Sequence, residues 1–261
     1  GDPSLADTRR LILAAEELGA DLIELGFPFS DPVADGAVIQ ASYMRVLERG
    51  QRTSEIYETM RALRLQSQIP VVAMISYSLV FRQEPERFID NALEAGIDGA
   101  TVPDLPIEEV GFLAELAEEK DFRLICFATP LTTRKRRELI VENARGFIYY
   151  ISVAGITGAR TELPPDLAEN IDQLKSLTPV PVAVGFGVSQ PEQARMVARH
   201  ADGVIVGSAI VRRIAQAHIE NKDIVEAVMP FVGELIEGTK SVEKEARSEE
   251  HTSELQSPSA I

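Results

Sequence analysis

Short apolar runs alternate with longer amphipathic segments over most of the chain. Several amphipathic segments end near Gly, Asp or Ala, and an apolar run of strand length follows directly. Near-continuous apolar runs of this length are typical of parallel strands that helices cover on both faces. The pattern predicts seven parallel strands, at 19–24, 70–76, 96–102, 122–128, 146–152, 180–185 and 201–206.

The segments between these runs predict helices. Pro106 and Pro191 stand near two of the helix starts, where the missing N–H of proline costs little. The predicted helices span 4–18, 53–67, 84–95, 107–119, 133–144, 166–176, 190–199 and 208–219.

The order of strands and helices predicts a barrel. Eight strand–helix units make a TIM barrel, in which the loops after the strands carry the chemistry. The chain opens on Gly1-Asp2-Pro3-Ser4, a turn that would normally follow a strand. We therefore predict an α/β fold, a (β/α)8 TIM barrel whose first strand is missing before Gly1. A doubly wound open sheet is the alternative, which is disfavoured because no G-x-G-x-x-G motif follows the first strand.

The pattern also predicts where the domain ends. No domain-scale linker interrupts it, so we expect a single domain over residues 1–240 and a tail over 241–261. Arg247 to Ser257 reads RSEEHTSELQS, which one reading frame of a common sequencing-library adapter encodes. We therefore expect residues 247–261 to be a non-native, adapter-encoded artefact.

Charge and composition exclude several classes of partner. The chain has 261 residues, 45% of them hydrophobic, and a formal net charge of −15 that argues against nucleic acid or an anionic membrane. No apolar run approaches the roughly 20 residues that span a bilayer, and no signal pattern opens the chain, so we expect a cytoplasmic protein. Cys126 lies in an apolar strand, and the three histidines lie outside the Gly-rich and acidic motifs. We therefore expect no metal site and assign acid–base chemistry to carboxylates.

Two acidic residues are the candidates for that chemistry. Glu24 lies in an apolar strand, where burying a carboxylate is costly and often functional. Asp35 lies in the turn-rich loop that follows. The alternatives are a Glu24 satisfied by backbone donors and aspartates, Asp31 and Asp35, that only form turns.

Glycines after the late strands predict a phosphate site. They lie at 155–158, at 185–187 and at Gly207-Ser208, each just after a predicted strand. Glycine lets backbone N–H groups approach an anion, and a helix N-terminus adds partial positive charge. The loops after the last two strands of such barrels often hold a phosphate. Ordinary helix-entry turns are the alternative.

Six segments together resemble one family. They read GDPS at 1–4, IELGFPFSDPVADG at 23–36, VPDLP at 102–106, GITGAR at 155–160, VGFGVS at 184–189 and VGSAIV at 206–211. From Gly1 to about Gly238 the chain resembles the tryptophan synthase alpha subunits. The resemblance implies a lyase that cleaves indole-3-glycerol phosphate to indole and glyceraldehyde 3-phosphate by a retro-aldol reaction. It also implies an alpha2-beta2 complex whose beta subunit holds pyridoxal phosphate, with no cofactor in this subunit.

The resemblance further implies roles for individual residues. Glu24 matches the general acid/base, and Asp35 matches the residue that accepts the indole N–H. Thr157 matches a lid threonine that orders Asp35, and Tyr149 matches a tyrosine of the indole pocket, with core packing as its alternative. The positions that match the phosphate site are Gly158, Phe186, Gly187, Gly207 and Ser208.

The chain departs from the family pattern at two places. Ser76 stands where a tyrosine is frequent, and the family's first strand, with an aromatic of the indole pocket, would precede Gly1. Three alternatives stay open: a non-catalytic fragment, a stand-alone indole-releasing lyase, and another phosphate-binding barrel such as a sugar-phosphate isomerase or epimerase. The last is disfavoured because epimerases need metal-binding histidines.

Overall fold

The structure is a computed structural model that describes residues 1–152, 166–185 and 187–256, with side chains as far as Val242. Seven strands lie in this part of the chain, and each pairs in parallel with its successor in the order β1 to β7. They are β1 (Ile23–Gly26), β2 (Val71–Met74), β3 (Gly99–Thr101), β4 (Arg123–Ala128), β5 (Ile148–Ile151), β6 (Val182–Gly185) and β7 (Gly203–Ile205).

The strand order decides between the two predicted architectures. In a doubly wound sheet the chain returns to the other side of the first strand partway through. Here the strands follow each other round in sequence, as in a TIM barrel, so the predicted barrel arrangement is confirmed and the open-sheet alternative is wrong. Among the described residues no strand joins β7 to β1, and the eighth strand expected before Gly1 stays a prediction.

Helices connect the strands and cover their outer side. They are α1 (Leu5–Leu18), α2 (Ala37–Glu48), α3 (Thr53–Leu63), α4 (Tyr77–Gln83), α5 (Pro85–Glu94), a short 3-10 helix (Ile107–Glu109), α6 (Gly111–Glu119), α7 (Arg134–Asn143), α8 (Leu167–Lys175), α9 (Pro191–Ala198), α10 (Ser208–Ile219) and α11 (Ile224–Gln256). All eight predicted helices are present at nearly the predicted positions. None of the described helices combines the length and apolar character needed to cross a membrane.

Three helices, α2, α4 and α11, were not predicted. The short α4 (Tyr77–Gln83) starts directly after the predicted strand at 70–76, where a loop was expected. The helix α11 contains an internal proline, Pro230, and a proline in a sequence argues against a helix at that position; here the helix continues through it. Because α11 extends to Gln256, the backbone of residues 241–256 is helical, while the predicted domain boundary at 240 stays a prediction.

Alternate residues of each strand point in opposite directions, towards the helices or towards the barrel interior. Leu25, Ala73 and Ala100 face the helices and are buried among their apolar side chains. Beneath the helices, Phe88 and Phe122 meet edge to face with ring centroids 6.0 Å apart. Burying side chains of this size stabilises the fold by about 1.5–3 kcal/mol each. The neighbouring residues of each strand face the barrel interior, and the candidate acid of β1 is one of them.

Two aspartates that stand just before strands bind the start of the preceding strand. Asp98, just before β3, accepts a hydrogen bond from the first backbone N–H of β2, that of Val71, at 2.8 Å. Asp202, just before β7, accepts one from the first backbone N–H of β6, that of Val182, at 2.9 Å. Each aspartate also pairs with a basic side chain of a preceding helix end. The aspartates thus fix where neighbouring strands begin relative to one another.

Candidate active site

Glu24 projects from β1 to the barrel interior. Thr101 of β3 lies two strands away, and its hydroxyl Oγ1 donates a hydrogen bond to Glu24 Oε1 at 2.8 Å. Burial raises the pKa of Glu24 to about 7; the hydrogen bond from Thr101 opposes this shift, and the negative charge of Asp35 adds to it. A carboxyl group with this pKa can both donate and accept a proton near neutral pH.

Asp35 lies in the loop that joins β1 to α2, half-buried at the mouth of the barrel. Gln40 of α2 donates from its side-chain amide to the carbonyl of Asp35 at 2.8 Å, and the Asp35 N–H donates to the carbonyl of Pro32 at 3.1 Å. Burial raises the pKa of Asp35, and the negative charge of Asp104 raises it further. The structure therefore brings the two predicted acids into one site, where each is within the electrostatic reach of another carboxylate.

Asp104 and Ser76 line a pocket that Asp35 also lines. Asp104 Oδ2 accepts from Ser76 Oγ at 2.5 Å, and Asp104 Oδ1 accepts from the backbone N–H of Tyr77 at 2.7 Å. Ser76 is also the N-cap of α4. The serine at the position of a frequent tyrosine thus serves to hold the start of α4 against the loop after β3. The pocket is lined by Phe29, Pro32, Val33, Ala34, Asp35, Tyr43, Met74, Ile75, Ser76, Pro103 and Asp104.

Two tyrosines, Tyr43 and Tyr149, lie close to the two acids. Tyr149 of β5 lies 5.1 Å from Phe127 between ring centroids, and a Cβ on Gly185 would lie only 2.6 Å from its ring. Tyr43 of α2 lies as closely over Gly26, where a Cβ would be 2.9 Å from the ring. Burial raises the pKa of both hydroxyls, and the charges of Glu24 and Asp35 contribute in both. The expected pocket position of Tyr149 fits this geometry.

The predicted phosphate residues are described in part. Thr157, Gly158 and Phe186 lie outside the described residues. Gly187 follows β6 with φ +65°, and Gly207 is the N-cap of α10, whose first residue is Ser208. Both glycines lie just after the carboxyl ends of adjacent strands, and a Cβ at either would meet no atom of the described residues within 4 Å. The first N–H groups of α10 have no acceptor within the helix and are available to an anion.

Sequence reasoning missed several residues of this site, above all Thr101, Tyr43, Asp104 and Phe127. In the sequence, Thr101 is a polar residue in an apolar strand, and Asp104 is part of the VPDLP segment at 102–106; neither position by itself indicates a contact with the site. No group of three or more His, Cys, Asp or Glu side chains able to hold a metal ion occurs in the described part of the chain. The described geometry thus places two carboxyl groups with raised pKa values near Tyr43 and Tyr149, and two glycines just after β6 and β7.

Comparison with known proteins adds a family to this geometry. The family model described as tryptophan synthase alpha chain matches residues 1–240. The tryptophan synthase alpha chain of Rhodopirellula baltica is 47% identical over 220 residues, which are 83% of this chain and 79% of that protein. That of a Thermoanaerobacter species is 41% identical over 237 residues, 91% of this chain and 90% of that protein.

Solved structures agree. The alpha subunit of tryptophan synthase from Legionella pneumophila superposes with a TM-score of 0.85 at 32% identity, covering 92% of this chain and 90% of that one. A chain from the tryptophan synthase a2b2 complex of Pyrococcus furiosus superposes with a TM-score of 0.83 at 36% identity, covering 90% and 94%.

Proposed function

This chain belongs to the tryptophan synthase alpha chain family, and from that premise we propose which of its residues perform the reaction. It is an indole-3-glycerol phosphate lyase of tryptophan biosynthesis, as the resemblance implied. We propose Glu24 as the general acid and base and Asp35 as the partner of the indole N–H. The observation that supports this most directly is the buried Glu24 carboxyl, whose pKa is raised by burial, and further by the nearby charge of Asp35, to about 7.

The reaction needs proton transfers at two places. Protonation of indole C3 makes the ring an indolenine-like leaving group. A base then takes the proton of the adjacent glycerol hydroxyl, the bond from C3 to the glycerol chain breaks, and its electron pair returns to the ring as the aldehyde forms. Glu24 is suited to donate the first proton and accept the second, because its pKa lies near neutral pH. Asp35 would stabilise the positive charge that develops at the ring nitrogen.

The walls of the pocket suit the substrate's two ends. Tyr43, which lines the pocket beside Asp35, and the paired rings of Tyr149 and Phe127 offer aromatic surface on which an indole ring can pack. At the other end, the N-terminus of α10 at Gly207 and Ser208, together with Gly187, would hold the phosphate through backbone N–H groups. Thr157, Gly158 and Phe186 are proposed to complete that site on the strength of the family resemblance.

We expect Gly207→Asp to weaken the binding of glycerol 3-phosphate at least tenfold while leaving indole binding nearly unchanged. The new carboxylate would place negative charge beside the proposed phosphate position. A Cβ at Gly207 would meet no atom within 4 Å in the part of the chain that the structure describes, so the substitution has room there. Isothermal titration calorimetry with each ligand measures both effects.

Gly207→Asn is the matched control, since asparagine has the shape of aspartate without its charge. The asparagine variant should retain most of the affinity for glycerol 3-phosphate. Equal weakening by both substitutions would contradict a charge effect, and equal loss of both ligands would indicate misfolding instead.

We further propose that this chain docks a tryptophan synthase beta subunit, which would hold the pyridoxal phosphate, in an alpha2-beta2 heterotetramer. The homologous Pyrococcus furiosus chain comes from an a2b2 complex. Three large apolar side chains are exposed in segments that directly follow strands: Val33 after β1 at 83%, Phe81 in α4 after β2 at 70%, and Leu131 after β4 at 81%. Exposed apolar residues grouped on one face are typical of interaction surfaces. We also propose a cytoplasmic location for this enzyme of tryptophan biosynthesis.

Leu131→Asp should weaken beta-subunit binding by about tenfold or more, because truncating or charging a central apolar contact typically costs at least 1–2 kcal/mol. Leu65→Asp is the control. Leu65 is 86% exposed but precedes β2, at the opposite end of the barrel. Analytical ultracentrifugation with the purified beta subunit measures both affinities, and equal effects of the two substitutions would contradict this docking face.

An assay of indole release, with and without the beta subunit, separates the alternative functions. Release at full rate without a beta subunit would favour the stand-alone lyase, and no release with or without it would favour an inactive fragment.

A further inference from the structure

Thr101 is a buried polar residue with a specific contact to the proposed acid. It lies at the end of β3, has no exposed surface, and donates from Oγ1 to Glu24 Oε1 at 2.8 Å. The other acceptor near this hydroxyl is the backbone carbonyl of Ala73, at 3.5 Å. A threonine hydroxyl has one proton to donate, and the distances assign it to Glu24.

We propose that Thr101 is a positioning residue for the lyase reaction: its hydroxyl occupies Glu24 Oε1 and so directs the other oxygen, Oε2, to exchange protons with the substrate. This inference rests on the proposed acid–base role of Glu24. Thr101 itself touches no reacting atom in it.

The chemistry of a carboxyl group explains why such a contact matters. A neutral carboxyl carries its proton on one oxygen, and the other oxygen can only accept. With Oε1 accepting from Thr101, the proton of neutral Glu24 belongs on Oε2. After that proton leaves, Oε1 still accepts from the same hydroxyl. Thr101 therefore fits both protonation states without rearrangement, which is what a residue that alternates between acid and base requires.

The hydroxyl also favours the charged form of Glu24. A donor to a carboxylate stabilises the anion and lowers its pKa, against the upward effect of burial. Among the described residues, the other titratable groups that face Glu24 are Asp35 from the loop after β1, Tyr43 from α2 and Tyr149 from β5. The two tyrosines have raised pKa values and stay neutral over the working range, so of these three groups Asp35 is the one whose charge can change with that of Glu24.

The test replaces the hydroxyl with a methyl group of the same shape, as Thr101→Val, and keeps the hydroxyl in Thr101→Ser. In the valine variant we expect kcat for indole release to fall about tenfold and the pH–rate profile to move about one pH unit upward, with KM within twofold of the parent. The size follows from a hydrogen bond to a charged group, worth about 1.5–3 kcal/mol, and from 1.36 kcal/mol per pKa unit. The serine variant should retain the parent profile.

A spectroscopic readout assigns the shift to Glu24. The infrared band of its carboxyl group, identified by subtracting the spectrum of Glu24→Gln, should titrate at higher pH in Thr101→Val than in the parent. A purely structural role for Thr101 would change the melting temperature without moving this titration. If the valine variant does not fold, Thr101→Ala provides the same comparison with a smaller buried side chain.

The possible failures are distinguishable. If Thr101→Val is folded and both its pH–rate profile and its carboxyl titration match the parent, the positioning role is wrong, whatever Glu24 does. If Glu24→Gln retains turnover, the proposed acid–base role fails instead, and the positioning role fails with it.

Discussion

Replacing Glu24 with glutamine should nearly abolish indole release while leaving substrate affinity largely intact. Glutamine keeps the shape of the side chain and can still accept from Thr101, but it cannot exchange a proton at the required positions. Loss of a general acid or base typically lowers the rate by about 10²–10⁴. Because Glu24 has a pKa near 7, both its protonated and ionised forms are present at neutral pH in the parent, and the substitution removes both.

Single-turnover indole release and calorimetric binding of glycerol 3-phosphate measure the two properties separately. Glu24→Asp is a useful companion, since it keeps the carboxyl group but withdraws it by one methylene from the substrate. It should retain more activity than the glutamine variant. Turnover of Glu24→Gln within tenfold of the parent would refute the assignment.

Asp35→Asn is the second substitution with a large expected effect. An amide can accept a hydrogen bond from the indole N–H, but it offers no negative charge to the nitrogen as that nitrogen becomes cationic. Removing such electrostatic stabilisation typically costs about 10²–10³ in kcat. The loop itself should persist, because its recorded contacts to Gln40 and Pro32 use backbone atoms of Asp35.

Asp31→Asn controls for loss of charge in the same loop. Asp31 is exposed and accepts from the neighbouring Ser30 hydroxyl at 2.7 Å, outside the pocket. Measured on the isolated chain, its kcat should stay within about twofold of the parent. An Asp35→Asn enzyme with unchanged kcat would reduce Asp35 to a turn residue, and equal losses in the two variants would implicate the loop rather than the ring nitrogen.

Much of the fold was predictable because its signals are local. Each strand is a short run of apolar residues, and each predicted helix has its own periodicity, so their existence and order follow from neighbouring residues. The helix α4 was not predictable in the same way. Its start depends on Asp104, which is distant in sequence and binds the Ser76 hydroxyl and the Tyr77 N–H. From the sequence alone, Ile75 and Ser76 were predicted to end a strand, and no helix was predicted to follow them.

The residues of the candidate site likewise differ in whether their role could be predicted from nearby sequence. Glu24 and Asp35 lie 11 positions apart in one distinctive segment, so sequence alone could nominate both. Thr101 lies 77 positions from Glu24, and it meets the carboxyl group only because β1, β2 and β3 are in one parallel register. Tyr43 of α2 and Tyr149 of β5 are likewise brought near Glu24 by the order of the strands and helices, not by their positions in the sequence. Contacts of this kind are a property of topology and have no local signature.

The burial of Glu24 has a consequence for the pH dependence of folding. The unfolded chain releases the Glu24 proton near the ordinary pKa of 4.5, and the folded chain keeps it until about 7. The contribution to the free energy of unfolding is therefore full below pH 4.5 and is lost as the pH rises through 7. At about 1.4 kcal/mol per pKa unit the loss is about 3 kcal/mol, a substantial part of a typical domain's stability. At pH 7, where this residue is best suited to transfer protons, most of its contribution to stability has therefore been lost.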